Sequence, residues 1–395
     1  MIKLSFTLLF IFALCEITFT QDNTIFFTHN EISDTNIHKL NFGIESTSFV
    51  KNNEYFDHLK GWTGIGFFIK PQIIYQATKT TEIQAGYFLE KYSGLDQFNS
   101  TIPLFRIRQK LSHNWEMILG HLYGNLEHNL TEPVYRFDRY YIDNVEYGMQ
   151  FLFRNRFISN DFWANWEQFI FPNDPYREEF VIGNSFNADI KINKKLSLII
   201  PFQFTWTHAG GQIYEHIPGR QNIMSLHNTS YGCGFKYDHA NSTIGVLNNK
   251  FLFKSLSVDY KYHSYRAPAN PPVTDEFHQP YDNGSGHFIS CNLDLNTFDL
   301  NISYWAGDKF IAKRGEEIFL SAFSDNNTFL MPEVRLFNFK VLYKHYFSEN
   351  VKLAARTDLY YNTGTGSLFY SYGLYLIYND MFLLKKMNLN QVLSN

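Results

Sequence analysis

Residues 350–361 read Asn-Val-Lys-Leu-Ala-Ala-Arg-Thr-Asp-Leu-Tyr-Tyr. Val351, Leu353, Ala355, Thr357, Leu359 and Tyr361 share one parity. Lys352, Ala354, Arg356, Asp358 and Tyr360 share the other. Successive side chains of a strand point to opposite faces, so this stretch is a ribbon with one apolar and one charged face. The pattern recurs along nearly the whole chain behind an N-terminal leader. A transmembrane β-barrel needs that alternation, because its strands meet lipid on one side and water on the other.

Outward from this stretch the same reading repeats. Ile65, Phe67, Ile69, Ile73 and Tyr75 oppose Lys70, Gln72 and Gln76; Phe105 and Ile107 oppose Arg106, Arg108 and Lys110. Leu196, Leu198, Ile200, Phe202, Phe204 and Trp206 oppose Ser197, Gln203, Thr205 and Thr207. Leu256, Val258, Tyr260 and Tyr262 oppose Ser257, Asp259, Lys261 and His263. A soluble core would have to bury those charges at high cost. A closed barrel gathers them in a wet lumen and leaves no unpaired sheet edge in lipid.

The connections alternate in length. Short ones fall at Lys79–Thr81, Ser112–Asn114, Asn193–Lys195, His239–Asn241 and Ser348–Asn350. Long ones fall at Asn125–Asp143, Ala209–Ser225, Ala267–Gly284 and Lys309–Glu333. Short turns on one side and long loops on the other are the barrel arrangement. The expected fold is all-β: an antiparallel up-and-down transmembrane barrel of about 16 strands, with 14 and 18 left open by Thr243–Phe253.

Composition agrees. Of 395 residues, 18% are aromatic, with 40 Phe and 26 Tyr, as interface belts require. Mean hydropathy is −0.27, and past the leader no apolar run reaches the ~18 residues of a membrane helix. The net charge of −4, with no basic patch or tail, excludes nucleic acid as a partner. Cys233 and Cys291 sit at apolar strand positions, which excludes a disulfide scaffold.

The N-terminus has Lys3, an apolar Leu4–Leu14 and a small-x-small site at Thr18-Phe19-Thr20. This reads as a cleaved secretory signal over 1–20. Cys15 lacks the small residue before it that lipidation would want. Residues 21–36 read as a short polar periplasmic lead-in, 37–380 as the barrel and 381–395 as a C-terminal tail.

With its leader, its turns such as Tyr346–Asn350 and its tyrosine-rich strands, the chain resembles porin-like outer-membrane barrels of the Bacteroidetes type. The resemblance implies a Gram-negative outer membrane and contact with its lipid. It also implies insertion by the barrel-assembly machinery and passive diffusion of small hydrophilic solutes, with no enzymatic activity. Wide barrels often form homo-oligomers, though no segment marks an interface. The last clear strand ends near Tyr378 rather than on a terminal aromatic; Phe382 is the substitute.

The expected pore lining is Arg106, Arg108, Lys110, Glu146, Arg154, Asp189, Lys191, Lys236, Asp259, Lys261, Asp294, Asp299, Lys340, Lys344, Lys352, Arg356 and Asp358. Their signs nearly cancel, so the wall is mixed rather than ion-selective. Arg106, Arg108 and Lys110 form a cationic row suited to anionic solutes. The long loop with Lys309, Lys313, Arg314, Glu316 and Glu317 carries Phe310, Ile311, Phe319, Leu320, Phe323 and Phe329, which need cover. It folds into the mouth as a constriction or lies across the rim. Trp163 and Trp166 are read as an interface belt.

Two alternatives stay open. One is a barrel enzyme acting on lipid or lipopolysaccharide, with His208 at a strand end as its base. That chemistry needs a nucleophilic Ser and an orienting group on the lipid-facing rim, and no Ser lies within two residues of His208. The other is a secreted all-β glycan-binding protein. The 14 His show no HExxH or paired-Cys spacing, so neither metal nor cofactor is expected.

Overall fold

The computed structural model describes residues 23–56, 59–211, 222–246, 249–322 and 329–387; the leader lies outside them. The first strands are β1 (Lys39–Glu54), β2 (Trp62–Gln76), β3 (Thr81–Tyr92), β4 (Ser100–Lys110) and β5 (Trp115–His121). Then come β6 (Tyr147–Arg154), β7 (Ile158–Gln168), β8 (Glu179–Lys191), β9 (Leu196–Ala209), β10 (Met224–Val246) and β11 (Asn249–Ala269). The ring is completed by β12 (Asn283–Asp294), β13 (Phe298–Asp308), β14 (Glu333–Tyr346), β15 (Val351–Asn362) and β16 (Leu368–Lys386). Each strand pairs antiparallel with its neighbours in sequence, and β1 pairs with β16 to close a 16-stranded barrel.

The tight turns lie at one rim, here the inner rim, together with both ends of the described chain. Their polar side chains hold them: Asn155 Oδ1 accepts from the N–H groups of Phe157 and Ile158, each at 2.8 Å, and Asn193 Oδ1 from those of Lys195 and Leu196. The long loops lie at the opposite, outer rim. Parity sets the faces throughout. Ile65, Phe105, Phe202, Ile289 and Leu374 point outward as part of a continuous exposed apolar band, as a lipid-facing wall requires.

Four expectations need correction. The turn read at His239–Asn241 is absent: β10 continues to Val246, and a register shift between Asp238 and Ser242 absorbs the turn-like composition as a bulge. β16 runs to Lys386, past the expected end near Tyr378, although Met381–Leu384 has lost the alternation that marks a strand. Trp163 faces the lumen, fully buried, and only Trp166 joins the outer belt; positions three apart in a strand have opposite parity. Residues 23–36 do not lie outside the barrel. Ile25, Phe26 and Ile32 are buried, and the Phe26 ring meets Phe137, Tyr140 and Tyr375 edge-on at 5.1–5.4 Å.

A ring of about 16 strands is too wide for its own side chains to fill. Here loop 3 (residues 122–146) and the described parts of loop 7 (residues 309–322 and 329–332) fold inward from the outer rim. They join through backbone bonds, Arg136 N–H to Arg314 C=O at 2.7 Å and Glu316 N–H to Glu132 C=O at 2.8 Å. Gly120, at φ +102°, turns β5 into loop 3, and a Cβ there would lie 2.0 Å from the Phe105 carbonyl oxygen. Short helix α1 (Arg139–Ile142) carries Tyr140 and Tyr141 into the core. Between loop 3, the N-terminal segment and the wall remains a polar cavity of about 40 Å³ bordered by Glu45, Lys70, Arg106 and Glu127. That is room for water rather than for a solute.

His128 is the buried polar anchor of loop 3. Its Nδ1 lies 2.7 Å from Asp161 and its Nε2 2.7 Å from Glu146. Its ring stacks on Trp163 at 3.6 Å. Trp163 fits because Gly183, on the adjacent strand, has no side chain: a Cβ there would fall 2.1 Å from the indole. Two carboxylates can only accept, so both ring nitrogens donate and the ring is an imidazolium. Burial alone would lower its pKa, but Asp161 and Glu146 overcome burial and hold it up at about 9. In loop 7, burial and then the charge of Asp138 push Glu316 up to about 8.

Both raised values have the same sign for stability. The His128 contribution is complete below about 6.5 and is lost as pH rises through about 9. The cost of ionising Glu316 grows above the ordinary carboxylate range and is complete above about 8. Hydrogen exchange of residues 122–146, corrected for intrinsic rates, should therefore show protection at pH 6 that falls towards pH 10. A His128→Asn variant should show weaker protection with less pH dependence. Unchanged protection up to pH 10 in the wild type would contradict this account.

Candidate functional site

The charges read as pore lining lie mostly on the lumen face, and many are occupied by the segments that fill it. Arg106 donates to the carbonyls of His121 (2.7 Å) and Leu122 (2.9 Å) and stacks over Tyr123. Arg108 bridges Glu82 and Glu116 and reaches the Asn30 carbonyl. Lys110 donates to the Ile32 carbonyl at 2.8 Å. The cationic row thus grips loop 3 and the N-terminal segment. Arg154, at the inner rim, contacts His29 at 3.3 Å.

Arg356 lies over Phe137 and pairs with Asp358 and with Glu132 of loop 3, which also takes Lys340. Glu146 receives His128 and Arg314. Other charges pair within the wall: Lys344 with Asp299 at 2.7 Å and Asp294 at 3.7 Å, and Lys261 with Asp259. Lys191 and Lys236 both meet Asp238, and Asp189 lies 3.8 Å from Lys191. Lys352 is half-buried.

Of the loop 7 residues, Arg314 and Glu316 are buried, Lys313 pairs with Glu179, and Glu317 lies 3.9 Å from Arg136. Lys309 stays exposed at the loop's start. Phe310, Ile311, Phe319 and Leu320 pack into the lumen wall; Phe329 is exposed, and Phe323 lies outside the described residues.

The outer face of β8–β10 holds a different constellation at the outer rim. His208, near the end of β9, points outward, and the register places Ser225 of β10 directly opposite it. Facing side chains of an antiparallel pair have Cβ atoms about 4.5–5.5 Å apart. Trp206 donates its indole N–H to Ser225 Oγ at 2.7 Å. The His208 ring packs on Phe180 of β8 at 4.8 Å. Its Nε2 lies 2.8 Å from the carbonyl oxygen of Gly210. A carbonyl only accepts, so Nε2 carries a proton, and in the neutral ring the lone pair is on Nδ1. Nδ1 is buried and has no hydrogen-bond partner among the described residues, Ser225 included, and Ser225 is itself largely covered. Glu178 comes alongside, its backbone carbonyl accepting from Gly210 N–H at 2.9 Å.

The sequence named His208 but not Ser225. The two are 17 positions apart, and only the register of β10 on β9 makes them neighbours. An outward serine among apolar residues, at the start of the next strand, is the signal that was available. Among the described residues no group of three or more His, Cys, Asp or Glu is placed to hold a metal ion.

No curated protein matches the chain. Among solved structures, OprD of Pseudomonas aeruginosa is similar at 11% identity, with a TM-score of 0.50 over 90% of this chain and 100% of that one. A BenF-like porin from Pseudomonas fluorescens shares 10% identity, with a TM-score of 0.47 over 88% of this chain and 100% of that one. At such identities the likeness concerns the porin-like barrel fold alone. The family model described as Lipid A 3'-O-deacylase-type matches residues 32–387. An enzyme family over nearly the full chain overturns the expectation that this barrel has no enzymatic activity. His208 and Ser225, which face each other here, lie on different strands, and no local motif joins them in the sequence. The chain belongs to the Lipid A 3'-O-deacylase-type family.

Proposed function

We propose that this protein is an outer-membrane hydrolase that removes an ester-linked acyl chain from a lipid A-like glycolipid, at the lipid-facing pair Ser225 and His208. The observation that carries this reading is their facing register on the outer surface, with the Gly210 carbonyl engaging His208 Nε2 so that Nδ1 is the nitrogen left to act as a base. Family membership supplies the reaction class. The substrate's ester would reach the pair sideways from the outer leaflet of a Gram-negative outer membrane, so no lumen passage is needed.

The chemistry follows from the groups present. Ser225 Oγ attacks the acyl carbonyl carbon while His208 Nδ1 takes its proton. The tetrahedral adduct collapses, the sugar oxygen leaves with the proton returned by His208, and the acyl chain stays on Ser225. Water, deprotonated by the same imidazole, then releases the fatty acid and restores the serine. Trp206 holds the Ser225 oxygen in place, and the Gly210 carbonyl steadies the imidazolium that forms at each step.

Passive diffusion, the expectation from the sequence, requires an open lumen. Loops 3 and 7 and the N-terminal segment argue against it, since their buried ion pairs would all have to break. In a planar bilayer the refolded protein should give no steady conductance steps; stable open channels would revive the diffusion reading.

The direct test is mass spectrometry of a purified acylated glycolipid after incubation with the detergent-folded protein. The wild type should release fatty acid. Ser225→Ala should lose at least about 10³-fold in rate and His208→Ala about 10²–10⁴-fold, with both variants retaining the heat-modifiable gel migration of a folded barrel. Acyl release that survives Ser225→Ala, or no release by the wild type, would refute the proposal.

A further inference from the structure

Next to the Ser225–His208 pair, the outer face of β11 carries a cation. Arg266 is exposed and outward-facing, and it pairs in register with His227 of β10, two residues beyond Ser225. His227 in turn lies opposite Trp206 on β9 and meets its ring edge-on at 6.1 Å. Arg266, His227, Trp206, Ser225 and His208 therefore occupy one patch spanning three adjacent strands.

Among the described residues the Arg266 side chain has neither an ion-pair nor a hydrogen-bond partner. The nearby carboxylate of Asp282 accepts instead from Asn270 Nδ2 at 2.8 Å. An arginine on the lipid face costs about 2–4 kcal/mol at the bilayer midplane and about 0–1 kcal/mol near the interface. Trp166, Phe180, Trp206 and Tyr262 mark this height as the interface, where lipid headgroups lie. The guanidinium thus stands at headgroup level, presenting a fork that matches a phosphate, beside a serine poised for an acyl ester.

We infer that Arg266 is the phosphate-reading residue of the site, binding a phosphate carried by the acylated glycolipid itself and so positioning its ester at Ser225. This rests on the proposed hydrolase reading for its purpose, but binding can be measured without turnover. An ester-bearing lipid with no phosphate would still reach Ser225, only less tightly. The side chain acts on substrate position and takes no part in proton transfer.

The test uses full-length Ser225→Ala protein, which binds without cleaving, titrated by native mass spectrometry. The probes are a phosphorylated acyl glycolipid, its enzymatically dephosphorylated form, and phosphatidylglycerol as competitor. Adding Arg266→Gln should weaken binding of the phosphorylated form about fivefold and leave the dephosphorylated form unchanged. Arg266→Lys should recover part of the loss. In the Ser225-containing protein, Arg266→Gln should raise KM for the phosphorylated substrate with little change in kcat.

Equal weakening for both glycolipids, or none, would overturn the inference. Displacement by phosphatidylglycerol at equal affinity would overturn its commitment to the glycolipid's own phosphate. Arg266-dependent binding in a protein whose wild type releases no fatty acid would leave this phosphate site standing and remove the hydrolase reading alone.

Discussion

Everything in this molecule depends on the pairing of β1 with β16. Lipid offers no hydrogen bonds to a peptide group, so a sheet can span it only as a closed ring. Closure around 16 strands fixes the register of every neighbouring pair and with it the direction of every side chain. It also encloses a space wider than wall side chains can fill. Two loops and the N-terminal segment occupy that space, and the charges on the inner wall become their partners. A buried charge without a partner is costly, which explains the density of ion pairs about Glu132, Asp138, Glu146 and Arg356.

The same registers compose the outer face. That face is apolar nearly everywhere, so polar residues on it stand out: Ser225, His208, His227 and Arg266 converge on β9–β11 at the outer rim. The division of labour follows from the solvents on each side. The lumen is polar, dense in ion pairs and structural, with the His128 imidazolium tying loop 3 to the wall. The rim is sparsely partnered and faces the only place from which a lipid ester can arrive. A filled lumen serves such a site by holding the wall rigid, because a serine and a histidine on different strands keep their geometry only if the strands do not slide.

Much of the barrel was legible because period-two alternation is a local property. The faces of β9, β11 and β15 follow from parity alone, and so does the outward direction of His208. What was not legible depends on register or on contacts distant in sequence. Ser225 meets His208 only through the register of β10 on β9. Trp163 looked like a belt residue beside Trp166, yet a spacing of three reverses its face. Ile25 and Phe26 are too few to show any period, and they matter only because loop 3 supplies Phe137 and Tyr140. The part the lumen charges play depends on loop carbonyls and carboxylates that strand periodicity does not describe.

The central claim is that Ser225 is a nucleophile activated by His208 on the lipid-facing wall. The folded protein should be treated with a fluorophosphonate, digested and mapped by mass spectrometry for the modified residue. A phosphonyl adduct on Ser225, lost when His208 is replaced by alanine in a barrel that still folds, is the predicted result. An unlabelled Ser225, or labelling at Ser225 that does not depend on His208, would contradict the account.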